Sequence, residues 1–200
     1  MESADPHQHV VETADRLFYA RGVQAVGMDE LRQAAGVSLK RLYSLVPSKE
    51  EIVLAVLARR HRLWEEGVRE RVDRAATPRA RLLAVYDHLA DWFAEDSFRG
   101  CGFINAFGEL GAVSPRVAEA ARAHKRSFQD YVAALVEAAG GPPDLGPQLC
   151  ILAEGAQTTA AIAGTPEAAG QARRAAEVLV QTAMVSGRPD GGAAQGTRDA

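Results

Sequence analysis

Cysteine is scarce in this chain, and its two copies, Cys101 and Cys150, stand far apart without the CxxC spacing of a redox or zinc motif. This scarcity excludes a disulfide scaffold and a cysteine zinc site, and it favours a reducing compartment. Long apolar runs are also missing, since no stretch approaches the ~20 residues of a membrane span. The acidic N-terminus, MESADPHQHV, lacks the basic and then apolar order of a signal peptide. We therefore expect a soluble cytoplasmic protein with no membrane partner.

Neither sign of charge predominates. Lys and Arg number 23 against 26 Asp and Glu, which gives a net charge of -3. A protein coated throughout with positive charge for nucleic acid is thereby excluded, although a local basic face is not. Apolar residues (47%) and charged residues (24%) occur at levels typical of a globular protein. Any binding site must therefore be sought in local patterns.

No stretch alternates apolar and polar residues at the period of a strand, and the local signals are those of helices. Thr77-Pro78, Ser114-Pro115 and Thr165-Pro166 each place a capping hydroxyl before a proline at the first helical position. Ser48 and Glu51 have the spacing of a capping box. The sequence therefore predicts an all-α fold with about nine helices, at residues 8–21, 28–35, 39–45, 48–72, 78–95, 103–111, 115–139, 144–163 and 166–186.

Helix length changes near residue 48, where three short helices give way to longer ones. We expect an N-terminal helix-turn-helix domain over 1–47 and a larger helical ligand-binding and dimerisation domain over 48–186. The helix at 48–72 is long enough, at ~1.5 Å per residue, to join the two parts mechanically. Residues 187–200 are rich in glycine and small polar residues and predict a disordered tail.

The stretch MDELRQAAGVSLKRLYSLV at 28–46 has the pattern of a helix-turn-helix. Alanines allow close approach, Gly36 supplies the turn, and Leu42 and Val46 return to the core. The second helix then presents its remaining side chains outward, namely Ser38, Leu39, Lys40, Arg41, Tyr43 and Ser44. Lys and Arg side chains reach guanine edges or phosphates, and Lys49 adds a charge near the backbone of a duplex. The alternative is that 39–46 is an ordinary amphipathic helix with a solvated basic face.

The longer stretch from Val11 to Leu57 resembles the DNA-binding domain of the TetR family of transcriptional regulators. The matching positions run in order without insertion: Ala14, Leu17, Phe18, Gly22, Met28 to Leu31, AAGVS at 34–38, Leu42-Tyr43 and Pro47 to Glu50. The resemblance implies that the third helix lies in the major groove of a double-stranded DNA operator. Ser38, Leu39, Lys40 and Arg41 would then approach base edges or neighbouring phosphates, while Tyr43 and Lys49 would hold phosphates.

Three positions depart from the family pattern. Gly27 stands where a Thr or Ser commonly caps the second helix and touches phosphate. Lys40 replaces a residue that is often glycine, which suggests a distinct operator. Val46 replaces the usual phenylalanine, so we expect looser packing behind the recognition helix. A second segment, FRGCGFINAFGEL at 98–110, resembles a stretch in one TetR subgroup, and Cys101 within it is expected to be a buried apolar residue.

Aromatic residues make up only 6% of the chain, yet most fall between Trp64 and Tyr131. Singly, each is best explained as core. Together they could line a largely apolar cavity with a few polar groups, as small-molecule sites usually are. The candidate ligand-binding residues are Trp64, Tyr86, Leu89, Trp92, Phe93, Phe103, Asn105, Phe107, His124, Phe128, Glu154 and Gln157. Glu154 poses a choice between burial with a partner and exposure at a helix junction, because an unpaired buried charge is costly.

The last two helices are rich in small residues, and we expect them to form a homodimer interface. These residues are Ala153, Gly155, Ala156, Ala160, Ala163, Ala172, Ala175, Ala176 and Ala183. Small side chains let helices approach closely, and two copies would build a four-helix bundle. A dimer would place two recognition helices about 34 Å apart on a roughly palindromic operator. The family resemblance implies the same arrangement.

The sequence therefore predicts a transcriptional regulator, by family resemblance more often a repressor, released from its operator by a small and largely apolar effector. An enzyme is the main alternative, but there is no GxSxG elbow or P-loop, and Asn105 stands where a dinucleotide motif after Gly100 and Gly102 needs glycine. The second alternative is a helical protein-interaction adaptor that does not bind DNA. His7 and His9 are interpreted as incidental rather than metal-binding, and no cofactor is expected.

Overall fold

The computed structural model describes residues 5–186, and all regular structure within them is α-helical. The helices are α1 Pro6–Arg21, α2 Met28–Ala34, α3 Leu39–Leu45, α4 Lys49–Asp73, α5 Pro78–Phe93, α6 Gly102–Leu110, α7 Pro115–Ala138, α8 Leu145–Ala163 and α9 Glu167–Ser186. The predicted all-α fold is confirmed, and the largest errors are the start of α1 and the end of α5. The predicted tail at 187–200 lies outside the described residues.

Three of the four predicted hydroxyl caps directly precede their helices, whereas α9 begins at Glu167, so Pro166 is not its first residue. The hydroxyls of Ser48, Thr77 and Ser114 accept hydrogen bonds from the backbone N–H of the third residue of α4, α5 and α7, respectively. The capping box at Ser48 is only half formed, because the Glu51 carboxylate pairs with Arg116 of α7. Each cap satisfies a backbone donor that has no partner within its helix.

The N-terminal core is built by α1, α2 and α3 but is closed by other helices. Its buried residues include Phe18, Leu31 and Leu42, and its far side is supplied by Ile52 of α4 and Phe103 of α6. The expected alanine contact is corrected in one detail: Ala34 is exposed, and Ala35 is the buried one. Val46 is buried despite its small size, at 2% exposure. The recognition unit therefore shares its hydrophobic core with helices of the body.

The core of the body lies between α5, α7, α8 and α9. Tyr86 at its centre is 1% exposed and donates its hydroxyl to the Leu149 carbonyl at 2.7 Å. Most of the small residues assigned to a dimer interface are instead buried inside the subunit, namely Ala153, Ala156, Ala160, Ala172 and Ala176. They let α8 and α9 approach each other and α5 closely, so the small-residue pattern mainly serves packing within one chain. No helix among the described residues is long and apolar enough to cross a membrane.

Candidate nucleic-acid interface and ligand cavity

Helix α3 has a buried face and an exposed face. Ser38 caps it by accepting a hydrogen bond from the Arg41 backbone N–H at 3.1 Å. Leu42 faces the core with no exposure, whereas Tyr43 is 45% exposed. The remaining outward side chains are Ser38, Leu39, Lys40, Arg41 and Ser44, and all are exposed. The predicted DNA-contacting set thus shares one surface, with Lys49 half-buried at the start of α4.

The positive charges on this surface are not neutralised. Among the described residues, Lys40, Arg41 and Lys49 have no ion pair, whereas Arg21 pairs with Glu30 and Arg32 pairs with Asp29 at 2.7 Å. Free cations next to a helix that protrudes from its core are what phosphate and guanine edges require. At the start of α2, Gly27 provides no side-chain cap, so that helix end lacks the hydroxyl that the family pattern places there.

A cavity of about 670 Å³ lies where α1 meets the body. Its walls come from α1, α4, α5, α6, α7, α8 and the connection between α5 and α6. This volume is typical of a site for a small organic molecule. Because α1 belongs to the helix-turn-helix unit, the cavity touches both functional parts of the chain.

Several of the predicted ligand-binding residues line this cavity, and the others lie elsewhere. Trp64, Trp92, Phe103, His124 and Gln157 are in its wall. Tyr86, Leu89, Phe93 and Phe128 are buried in the core of the body, and Asn105 and Phe107 are exposed on α6. Glu154 is half-buried, and its carboxylate lies 3.5 Å from the Lys125 ammonium. The sequence left open whether Glu154 is buried with a partner or exposed, and in the structure it is both paired and partly exposed. None of these seven contributes to the cavity.

The charged residues of the cavity were missed by the sequence analysis. Arg16, Arg59, Arg60 and Arg99 line it, together with Asp15 and Glu95. The lining is still largely apolar by area, as expected, but its charged groups were not predicted. The run RRHR at 59–62 contains two of these arginines, but nothing local in the sequence shows that α1 approaches it.

The floor of the cavity is polar but uncharged. The His124 ring stacks on Phe103 with 3.8 Å between ring centroids, and its Nδ1 lies 3.0 Å from Nδ1 of His61. Burial, with the nearby charges of Lys125 and His61, lowers the pKa of His124 to about 3. Burial likewise lowers the pKa of His88. Both imidazoles are therefore neutral at neutral pH.

Gln157 is the one buried polar residue of this floor with no hydrogen-bond partner among residues 5–186. It is only 3% exposed. No side-chain nitrogen or oxygen of the described residues is both fully buried and unpaired, so the Gln157 amide is open to the cavity. Cys101, also buried in the wall, has its Sγ 4.0 Å from the Lys125 ammonium.

Two sets of contacts join the cavity wall to α1. The buried Asp15 carboxylate accepts hydrogen bonds from Arg59, at 2.8 Å, and from Arg60 of α4. Tyr19 donates its hydroxyl to the Gly100 carbonyl at 2.7 Å and accepts from the Arg99 N–H at 2.9 Å. The Arg60 guanidinium also lies over the Tyr19 ring, 3.6 Å from its centre. These contacts tie the cavity wall to the helix-turn-helix unit.

A separate contact links α6 to the turn between α1 and α2. The Glu109 carboxylate accepts hydrogen bonds from the backbone N–H groups of Val23 at 3.0 Å and Gln24 at 2.8 Å. The Gln24 amide donates in return to the Glu109 carbonyl at 2.8 Å. Gly22 beside it has a φ of 88°, and an added Cβ would lie 3.2 Å from the same carboxylate. Glycine is therefore required here both for its backbone conformation and for the space.

Helix α8 exposes two isoleucines and α9 one valine, and together these three residues are called the exposed stripe. Ile151 is 72% exposed and Ile162 is 84% exposed on α8, while Val178 is 63% exposed on α9. Gly155 lies between the two isoleucines, and a Cβ there would meet open space. This surface, rather than the buried alanines, is the part of the two helices that is free to meet a partner.

Comparisons with known proteins agree with this architecture. The family model described as bacterial regulatory proteins of the tetR family matches residues 10–56. A second model, the tetracyclin repressor-like C-terminal domain, matches residues 78–176. The first match contains the whole helix-turn-helix, and the second runs from α5 into α9.

Among curated relatives, the HTH-type transcriptional activator FasR of Mycolicibacterium smegmatis is 33% identical over 128 residues, which cover 64% of this chain and 57% of that protein. The repressor NemR of Escherichia coli is 26% identical over 108 residues, covering 53% and 54%. The chain spans about half the length of the curated relatives that it matches. These relatives are transcriptional regulators, in agreement with the prediction that the chain is not an enzyme.

Solved structures extend the likeness over most of the chain. A TetR-family transcriptional regulator from Streptomyces coelicolor superposes with a TM-score of 0.83 at 27% identity, covering 89% of this chain and 95% of that one. The reduced form of Escherichia coli NemR shares the fold, with a TM-score of 0.77 at 23% identity and coverage of 88% and 97%. Matched in both its N-terminal and its C-terminal parts, the chain belongs to the TetR family of bacterial regulatory proteins.

Proposed function

We propose that the protein is a transcriptional regulator that binds a double-stranded DNA operator as a homodimer and is released by a small molecule bound in the cavity next to α1. The observation that carries the DNA-binding part is the exposed face of α3, where Lys40 and Arg41 have no ion pair within residues 5–186. A basic helix that is anchored by Leu42 and unneutralised by neighbouring carboxylates is suited to the major groove.

Pairing of two subunits would come from the exposed stripe of Ile151, Ile162 and Val178. Exposed aliphatic side chains on two neighbouring helices are typical of a self-complementary interface. A dimer doubles the base contacts, which a single short helix of seven residues cannot supply in sufficient number.

Control by a ligand rests on the position of the cavity. A ligand shifts the equilibrium only if it binds the two conformations with different affinity. Asp15 and Tyr19 of α1 line the cavity together with Arg60 of α4, so a ligand there changes contacts that hold the helix-turn-helix unit. We propose that the bound conformation spaces the two recognition helices wrongly for the operator.

The direction of regulation is proposed as repression. The relatives named above include both an activator and a repressor. A protein that leaves DNA when its ligand binds, and that occupies a site overlapping a promoter, prevents transcription until the ligand appears. An adaptor or an enzyme would have no need of unpaired cations on α3. Neither alternative predicts that the protein binds double-stranded DNA.

The experiment is selection of bound sequences from a pool of random duplexes. We expect enrichment of a palindromic site whose half-sites are centred about one helical turn apart or a multiple of it, with affinity that falls steeply with salt. The matched control is a protein carrying Lys40→Ala and Arg41→Ala, which should enrich no site. Failure of the parent protein to enrich any sequence, or equal enrichment by the control, would contradict the proposal.

A further inference from the structure

We infer that the cavity next to α1 binds an organic anion with an apolar body, its charged group at the mouth and its body on the aromatic wall. This inference rests on the proposed function, since it names the chemical class of the ligand for the same site. It differs from the sequence-based expectation of a largely apolar effector.

The first argument is the balance of charge. Four arginines line the cavity against two carboxylates, which leaves an excess of positive charge. Asp15 is already shared by Arg59 and Arg60. Arg16 and Arg99 have no carboxylate partner among the described residues, and both are exposed at the mouth. A guanidinium without a counter-ion at the edge of a low-dielectric cavity favours a carboxylate, sulfonate or phosphate.

The second argument is the composition of the less exposed part of the wall. Phe103 is 4% exposed, and Trp64 and Trp92 are half-buried beside it. The same wall holds Gln157, whose amide has no partner within the part of the chain described here, so that a polar atom on the body of a ligand could bind it. A ligand cation is disfavoured, because Glu95 at the mouth is the only lining carboxylate without an arginine partner in residues 5–186.

The chain provides its own optical reporter for this site. It has two tryptophans, and both line the cavity. Energy transfer from tryptophan to a fluorescent probe therefore reports binding near this cavity, and the cavity variants described below identify the site. The probes are anilinonaphthalene sulfonate, an anion with an aromatic body, and phenylnaphthylamine, the matching neutral compound.

The test compares two double variants of equal net charge. Arg16→Gln with Arg99→Gln removes the two mouth cations, while Arg62→Gln with Arg79→Gln removes two exposed arginines outside the cavity. We expect the first pair to weaken sulfonate binding on the order of tenfold, as for loss of charge-assisted hydrogen bonds, and to leave the neutral probe unchanged. The second pair should affect neither probe. Added salt should weaken only the sulfonate.

Three results would overturn the inference: no energy transfer to the sulfonate, equal weakening by both double variants, or equal weakening of both probes. Operator affinity is measured in parallel, so that the two proposals fail separately. If sulfonate binding depends on Arg16 and Arg99 but the sulfonate leaves operator affinity unchanged, the anion preference stands and ligand control of DNA binding is contradicted. If the probes do not discriminate but operator binding persists, only the ligand class is lost.

Discussion

Arg41 and Lys49 have the same charge but different places in the recognition unit. Arg41 projects from the middle of α3, whereas Lys49 begins α4 beside it and is half-buried. A guanidinium in the major groove pairs with two acceptors on a base edge, and an ammonium at its border meets phosphate. The two side chains should therefore differ in what their loss does to specificity.

Arg41→Ala should weaken operator binding by about 1–3 kcal/mol and relax preference at one base pair. Lys49→Ala should weaken binding to all sequences alike and reduce the salt slope by about one. Titration of both variants against single-base operator variants at several salt concentrations measures this. Arg79→Ala, an exposed arginine at the start of α5, serves as the control. If Arg41→Ala keeps the full base preference of the parent, Arg41 is not a base-reading residue.

His124 predicts a pH dependence of stability. Its pKa in the folded protein is about 3, against an ordinary value of 6.5, so the unfolded chain binds a proton that the fold excludes. The contribution is complete above about pH 6.5 and is lost progressively as pH falls towards about 3. Lowering the pH from about 7.5 to about 5 should therefore reduce the free energy of unfolding by about 2 kcal/mol through this residue.

Urea unfolding of His124→Gln at both pH values tests that assignment. The variant should be less stable than the parent at the higher pH, because stacking on Phe103 is lost, but it should lose less stability on acidification. His7→Gln is the control, since His7 is exposed at the start of α1. An unchanged pH dependence in His124→Gln would show that other groups cause it.

Among the helices, α6 is the shortest of the body, and its C-terminal end contacts the helix-turn-helix unit. Glu109 near its C-terminal end accepts two backbone N–H groups from the turn before α2. Charge-assisted hydrogen bonds of this kind are stronger than neutral ones. The turn, and with it the start of α2, is therefore fixed relative to the body.

Glu109→Ala should destabilise the protein by roughly 1–3 kcal/mol, because two backbone donors lose their acceptor. It should also speed amide exchange at Val23 and Gln24 far more than at Val46. Hydrogen exchange followed by NMR or mass spectrometry measures both effects. Glu66→Ala, at an exposed position of α4, is the matched control. Unaltered exchange at Val23 and Gln24 would mean that the turn is held by other contacts.

The helices were predictable because their signals are local. Hydroxyl caps at Ser48, Thr77 and Ser114, and glycine at the turns, mark element ends within a few residues of sequence. The charged side of the cavity was not predictable, because it depends on α1 approaching α4, and Asp15 and Arg60 are 45 residues apart. Periodicity also cannot say which helix a small residue faces, so alanines such as Ala156 were assigned to a partner subunit.

At the scale of the whole molecule, the exposed stripe on α8 and α9 predicts the oligomeric state. Ile151→Glu should convert the dimer to a monomer, because an unpaired carboxylate buried at an interface costs about 3–5 kcal/mol. The dissociation constant should rise at least about a hundredfold. Sedimentation and operator binding are the measurements. Val113→Glu, on the turn after α6 and 77% exposed, should remain dimeric. A dimeric Ile151→Glu protein would place the interface elsewhere.

The N-terminal core is completed by Phe103 and Val117, which lie far along the chain on α6 and α7. The recognition unit is consequently not an independent module that can be exchanged by joining chains between α3 and α4. A hybrid that grafts residues 1–47 onto another sensor would expose that shared surface unless the recipient presents side chains of matching shape. A functional hybrid, whether engineered or produced by recombination of genes, must therefore transfer the recognition helices together with the helices that complete their core.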